Sequence, residues 1–390
     1  MMREGWEYKK FDEVFNLQMG KTPNRKNPDY FGGKNVWISI RDLGDKEVLE
    51  SNEHITDKAV SDTNIRKVKK GTVIMSFKLT VGKCGIAAKD LYTNEAIMAF
   101  NTKEGYDINS SFLYYYLQCY NWEGSNKAVM GITLNKATIS KQHINIPPKS
   151  TQLAIVSELD KINELIRLKK EQLKDFDNLA QSLFYEIFGD PVENEKGWEV
   201  KKLGEVCNIT SSKRIFADEY TDKGIPFYRS KEVIERSKGL PISVELFISP
   251  ERYSEIKEKF GIPNVGDILV TAVGTIGKIW SIDTDEKFYF KDGNLVWLKD
   301  IDSSLVNTIF FRRLLEYLID EYKKINANGA AYSALTIAKL KLMQCPLPPL
   351  PLQHLFAQRI EQIEHQKAEV QKSITDLETL LASRMQYWFE

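Results

Sequence analysis

Gly5-Trp6-Glu7-Tyr8-Lys9-Lys10-Phe11-Asp12-Glu13-Val14 returns as Gly197-Trp198-Glu199-Val200-Lys201-Lys202-Leu203-Gly204-Glu205-Val206, with Trp198 lying 192 residues after Trp6. At that same spacing Val81-Gly82-Lys83-Cys84-Gly85 falls opposite Val273-Gly274-Thr275-Ile276-Gly277. Further on, Ile146-Pro147-Pro148 with Gln152 matches Leu347-Pro348-Pro349 with Gln353, now 201 residues apart. A period this long is not that of a solenoid. It marks a duplicated domain, and a duplicated domain with pseudo-two-fold symmetry suits a ligand that itself has two related halves.

The chain has 390 residues, more than one hydrophobic core usually serves, so two domains with connectors are expected. Its apolar runs, such as Ile268-Leu269-Val270, are too short to span a bilayer, and the opening Met1-Met2-Arg3-Glu4-Gly5-Trp6 has no signal-peptide core. A cytoplasmic location without a membrane partner is the expectation. Cys84, Cys119, Cys207 and Cys345 are scattered without a CxxC, which fits a reducing compartment, and the four histidines form no ligand pattern. With 54 basic and 54 acidic residues the net charge is zero. That weighs against a protein that merely coats nucleic acid, yet leaves room for locally placed recognition groups.

Four segments follow: a globular block over 1–150, a helix over 151–190, a second block over 191–350 and a second helix over 351–390. Short β-like runs (Val36–Ile40, Thr72–Met75) and an aromatic helical stretch (Phe112–Leu117) make the blocks α+β. In the first helix Ile155, Leu159, Ile162, Ile166, Leu173, Phe176, Leu183 and Ile187 recur in steps of four and three, interrupted by Lys169. In the second the stripe is Phe356, Ile360, Ile363, Val370, Ile374, Leu377, Leu381 and Trp388, interrupted by Lys367 and Arg384. This is the seam of a coiled coil. Each stripe could instead pack on its own globular block, but the heptad phase kept in both copies favours the two helices packing on each other. Pseudo-two-fold symmetry makes that pair antiparallel, a ruler about 55 Å long at 1.5 Å per residue.

Besides the two Gly-Trp-Glu openings, Gly20-Lys21-Thr22-Pro23 leads to Tyr30-Phe31-Gly32-Gly33 and Trp37-Ile38-Ser39. Gly266-Asp267-Ile268-Leu269-Val270-Thr271, Gly274-Thr275-Ile276-Gly277-Lys278 and Cys345-Pro346-Leu347-Pro348-Pro349 follow. In this order the motifs resemble the specificity subunits of type I restriction–modification systems. The resemblance implies two target-recognition domains, each reading one half of a split double-stranded DNA target. It also implies helices that dock two adenine methyltransferase subunits using S-adenosylmethionine, and through them restriction subunits using ATP and Mg. The chain itself would hold no cofactor.

Candidate DNA contacts are polar residues in the loops of each block. In the first they are Lys21, Thr22, Asn24, Arg25 and Lys26 around Pro23, then Arg41, Lys83, Asn135 and Lys136. In the second they are Ser212, Lys213, Arg214, Lys231, Thr275, Lys278, Asn328 and Tyr332. Lysine neutralises phosphate, arginine also grips guanine, and asparagine reads adenine. Any one of these cations is equally a solvated surface charge, and the Gly-rich turns are equally tight hairpins needing positive φ. The loops diverge between copies while the frameworks agree, so two different half-sites and an asymmetric target are expected.

Catalytic signatures are missing. Gly20-Lys21-Thr22 ends like a phosphate-binding loop, but Phe15 stands where that loop needs glycine. Ile146-Pro147-Pro148-Lys149 lacks the Asn and aromatic of an adenine methyltransferase, and Asp285-Glu286-Lys287 is an isolated D-x-K in a charged turn. The competing function is a non-catalytic coiled-coil scaffold whose blocks bind protein. Such surfaces favour exposed aromatic anchors, whereas these loops are mostly Arg, Lys, Asn, Ser and Thr.

Overall fold

The computed structural model describes residues 3–122, 126–128, 131–326 and 334–390. The chain divides into two compact units, one made of Met1–Glu171 with Gln371–Glu390, the other of Gln172–Val370. Each unit therefore holds one globular block together with a part of both long helices.

In the first unit the main sheet runs Phe15–Met19, Ile97–Thr102, Val73–Ser76, Cys84–Ala87 and Glu47–Val48, antiparallel except at its last pair. In the second it runs Asn208–Thr210, Leu295–Lys299, Ile268–Thr271 and Ile279–Ser281. The register repeats: Val73 opposes Phe100 and Ile86, as Ile268 opposes Leu298 and Ser281. Alternating faces of these strands bury Val73, Met75 and Phe100 in one core and Ile268, Val270 and Leu298 in the other. The aromatic stretch forms the helix Ser110–Cys119, capped by Asn109, and its partner in the second unit is Thr308–Asn326.

Each block is closed by its own ends. The opening strand Glu7–Lys10 pairs antiparallel with His143–Ile146, and Glu199–Lys202 pairs with Gln344–Leu347. The Pro-Pro pair then ends the strand, because proline cannot extend the ladder, and a helix starts at once. Gln152 and Gln353, 2% and 0% exposed, clamp that start. Gln152 Oε1 accepts from the Asn109 amide at 2.8 Å, while its Nε2 donates to Pro147 O at 3.0 Å and Asp107 O at 3.2 Å. Gln353 does the same with Asn307, Pro348 and Leu305, at 2.8, 2.7 and 3.0 Å.

The long helices span Lys149–Phe188 and Leu350–Phe389. In the first unit Ile155 and Leu159 enter the core of the block they follow, and Leu381 and Trp388 of the second helix pack against that core. Ile162, Ile166 and Ile374 are buried as well. Glu158 accepts from the Arg384 guanidinium and from Trp388 Nε1, and Lys170 pairs with Glu378 at 2.8 Å, so the two segments run antiparallel. The second unit repeats the arrangement. Leu183, Phe184 and Phe188 share a core with Phe356, Ile360 and Ile363, and Lys367 pairs with Asp177 at 2.7 Å. Lys367 and Arg384, the polar breaks in the stripe, are thus both paired across helices. Stripe packing on the partner helix and packing on the block prove not to be alternatives, since the helix ends do both.

Phe389 packs against Phe112 and Tyr116 in the first unit, as Phe188 packs against Phe310 in the second. Each block is thus sealed by the last turn of the helix that does not follow it.

Candidate nucleic-acid interface

Backbone hydrogen bonds gather the candidate loops of the first unit at one end of its sheets. Gly20 N–H donates to Ile97 O, Lys21 N–H to Thr93 O, Phe77 N–H to Ala96 O, and Leu134 N–H to Phe77 O. Asn94 N–H reaches Ile38 O, just before the turn that carries Arg41. Gly20 is required here, since a Cβ would fall 2.2 Å from the carbonyl oxygens of Thr93 and Asn94. The second unit assembles the same loops. Lys213 N–H donates to Tyr289 Oη at 2.7 Å, Ala272 N–H to Asn294 O, Leu335 N–H to Ala272 O, and Lys291 N–H to Tyr228 O.

Within that cluster the candidate residues divide. Arg25 is committed internally: it grips Glu53 bidentately at 2.8 and 2.9 Å and lies over the rings of Phe31 and Trp37. The Arg25 bond holds the Glu53 carboxyl below its ordinary range, and the same bond raises Arg25. Arg214 is tied to Asp292 at 2.7 Å and Lys231 to Glu245 at 2.9 Å. Lys21 Nζ donates to Thr63 O at 2.6 Å, and Thr22 donates to Glu95. Asn24 spends its Oδ1 on the Lys26 amide, and Asn135 caps the helix Lys136–Lys141 through the Thr138 amide. Lys213 Nζ sits 5.2 Å above the Phe260 ring. Ser212 Oγ is buried without a partner among the described residues. Asn328 and Tyr332 lie outside the described residues.

Lys26, Arg41, Lys83, Lys136 and Lys278 are exposed and make no ion pair among the described residues. Arg41 stands on a short turn whose start is capped. The Asp42 carboxylate accepts from Ser39 N–H at 2.7 Å, as the Glu232 carboxylate accepts from Arg229 N–H at 2.7 Å beside Lys231. Burial alone would raise Asp42, but the donors from Asn52 and Ser39 outweigh it and hold the group below its ordinary value.

The Gly-rich turns need a correction. The 192-residue spacing places Gly82 opposite Gly274, but the hydrogen bonds place it opposite Gly277. Ser76 Oγ accepts from Lys83 N–H at 3.1 Å and Thr271 Oγ1 from Lys278 N–H at 2.9 Å. Gly82 N–H donates to Ser76 O at 3.0 Å and Gly277 N–H to Thr271 O at 2.8 Å. Ser76 and Thr271 also donate to Thr80 O and Thr275 O. The true spacing is 195, so Thr80-Val81-Gly82-Lys83 corresponds to Thr275-Ile276-Gly277-Lys278. The earlier match was a coincidence of two glycines. It hid the pairing of the two tips, in which Lys78-Leu79 stands opposite Val273-Gly274.

No group of three or more His, Cys, Asp or Glu that could hold a metal occurs among the described residues. Likewise, no described helix is long and apolar enough to cross a membrane. The thiols are held in the protonated form by burial, Cys119 pushed up to about 11 and Cys207 and Cys345 to about 12.

Two copies of one α+β block, each with its loops gathered at one end and each closed onto the same two long helices, define a duplicated recognition scaffold. The chain belongs to the type I restriction modification DNA specificity domain family, which matches residues 3–175 and again 195–379. It is 27% identical over 401 residues to the type I restriction enzyme MjaIX specificity subunit of Methanocaldococcus jannaschii, covering 96% of this chain and 90% of that one. A putative type I restriction enzyme specificity subunit of Haemophilus influenzae is 30% identical over 286 residues, covering 71% of this chain and 70% of that one. Among solved structures, the S subunit of a type I restriction-modification system from M. genitalium has a TM-score of 0.51 at 15% identity, covering 100% of this chain and 96% of that one. A chain described for complex assembly and conformational transition of the type I R-M system has a TM-score of 0.66 at 18% identity, covering 100% and 99%. These two share the fold.

Proposed function

We propose that each recognition domain reads one half of a bipartite, asymmetric DNA target and that the two long helices set the separation of the halves. The observation that carries this is one framework built twice with different loops at the same end. A single framework positions both readers alike, and loops that differ in residue type and length read different bases. Exposed Lys83 and Lys278 hold equivalent hairpin positions and suit phosphate, which fixes orientation without carrying sequence information.

Each long helix has 40 residues, about 60 Å at 1.5 Å per residue. That exceeds the 34–36 Å of one DNA turn between half-site centres. In this reading the exposed helix faces dock two adenine methyltransferase subunits, which bring S-adenosylmethionine. Restriction subunits join through them, with ATP and Mg. The chain supplies specificity, and its partners supply the chemistry.

The test is binding of the chain, purified with its methyltransferase subunits, to duplex DNA over a salt series. Steep loss of affinity with salt, together with competition limited to one split sequence, is the expected result. Binding that is flat in salt, or absent while the complex still captures protein, would favour the scaffold alternative.

A further inference from the structure

Strands Val73–Ser76 and Cys84–Ala87, and their partners Ile268–Thr271 and Ile279–Ser281, carry hairpins with one frame and two different tips. The frame side chains agree in chemistry: Thr80 with Thr275, Val81 with Ile276, Gly82 with Gly277 and Lys83 with Lys278. The tip pair changes, Lys78-Leu79 against Val273-Gly274, as does the buried residue before it, Phe77 against Ala272.

Leu79 has φ +62 and Gly274 φ +74, so both copies hold this position in the left-handed region. Glycine enters that region freely, whereas a γ-branched L residue is strained there. Burial does not offset the strain, because the Leu79 side chain is 63% exposed. Neither the backbone nor the core accounts for a leucine here. Such an outlier on a rigid frame points to use by a ligand.

The surroundings name the ligand class. Lys78 and Lys83 flank Leu79, and the Leu134 amide bonded to Phe77 O brings exposed Asn135 and Lys136 alongside. An exposed apolar side chain among lysines suits a duplex, where phosphates meet the cations and the thymine methyl or an opened base step meets the leucine.

We propose that the hairpin tips are specificity-determining elements, with Leu79 making an apolar base contact in the first half-site and Gly274 leaving the matching position to backbone approach in the second. This rests on the DNA-reading function above. The test is Leu79→Gly, with Leu79→Asn as a second variant that tolerates the left-handed region while removing the apolar group. Each is made in the full chain assembled with methyltransferase subunits and assayed for binding to duplexes carrying every single base change in both half-sites.

The expected result is a melting temperature no lower than wild type and an unchanged second half-site and spacer. Discrimination at one or two positions of the first half-site should fall about tenfold or more. Wild-type discrimination at every position in both variants would overturn the proposal, as would a melting temperature several degrees lower in Leu79→Gly. A wild-type complex with no split-target preference would instead sink the DNA-reading function, and this inference with it.

Discussion

Among the single residues, Gln152 and Gln353 set the geometry on which the rest depends. Each is buried, and each bonds an amide and two carbonyls at a helix entry. Truncating Gln353 to alanine leaves one buried carbonyl and two half-buried groups unpaired, at a cost of about 2–4 kcal/mol. Thermal denaturation should show a clear drop for Gln353→Ala, and an unchanged melting temperature would mean that the clamp is ornamental. Lys83 belongs to the other class of residue. Lys83→Ala should reduce the slope of log affinity against log salt by about 1 and weaken binding uniformly across sequences. A changed base preference would instead make Lys83 a reader. Arg25 shows what residue type leaves out: its guanidinium is as apt for guanine as any, and the fold pairs it with Glu53 and lays it over Phe31 and Trp37. Nothing local in the sequence shows that Glu53 comes within reach of it.

At the scale of elements, the helices were the most legible part. Their 3.6-residue pattern and the Pro-Pro stops depend only on neighbours in the chain, and every stripe residue is buried or half-buried. What periodicity does not reveal is that the helix ends are shared between a block core and the other helix, which is decided by tertiary packing. The hairpins were read wrongly for a physical reason. The spacing between copies is 190 at Asp42 and Glu232, 195 at Lys83 and Lys278, 198 at Asn109 and Asn307, and 201 at Gln152 and Gln353. Each change falls in a connection between framework elements, where length varies at little energetic cost. One fixed offset therefore fails in the loops that matter most.

Two predictions belong to the helices. Ile374 is 1% exposed, so Ile374→Asp buries an unpaired charge and should cost about 3 kcal/mol or more. Chemical denaturation checks this, and near-wild-type stability would mean that the stripe is not a packed seam. Glu158 is held below its ordinary carboxylate value chiefly by its bond from Arg384, with Trp388 adding to it. A depressed carboxylate stabilises the fold fully above its unfolded value near pH 4.3 and loses that contribution as pH falls through the lower folded value. For this partly exposed pair the contribution is at most about 1 kcal/mol. The melting-temperature gap between wild type and Glu158→Gln should close as pH drops from 6 to 3. A gap that is constant with pH would contradict the pairing.

For the whole molecule, duplication was legible from the repeated openings and the Pro-Pro-x-x-x-Gln endings, because those segments form the closing strand pairs and clamps that any copy must keep. The partition into two units was not, since Gln371–Glu390 joins a unit that begins at the other end of the chain. If the helices act as a ruler, lengthening each by four residues adds about 6 Å. At 3.4 Å per base pair the spacer should grow by one or two base pairs with both half-sites unchanged.

The central claim, two readers for two half-sites, is tested most directly by single-molecule adenine-methylation profiling of cells expressing the methyltransferase with and without this chain. The account predicts a split, asymmetric methylated motif that disappears with the chain. An identical methylation pattern in both, with the methyltransferase demonstrably active, would contradict it.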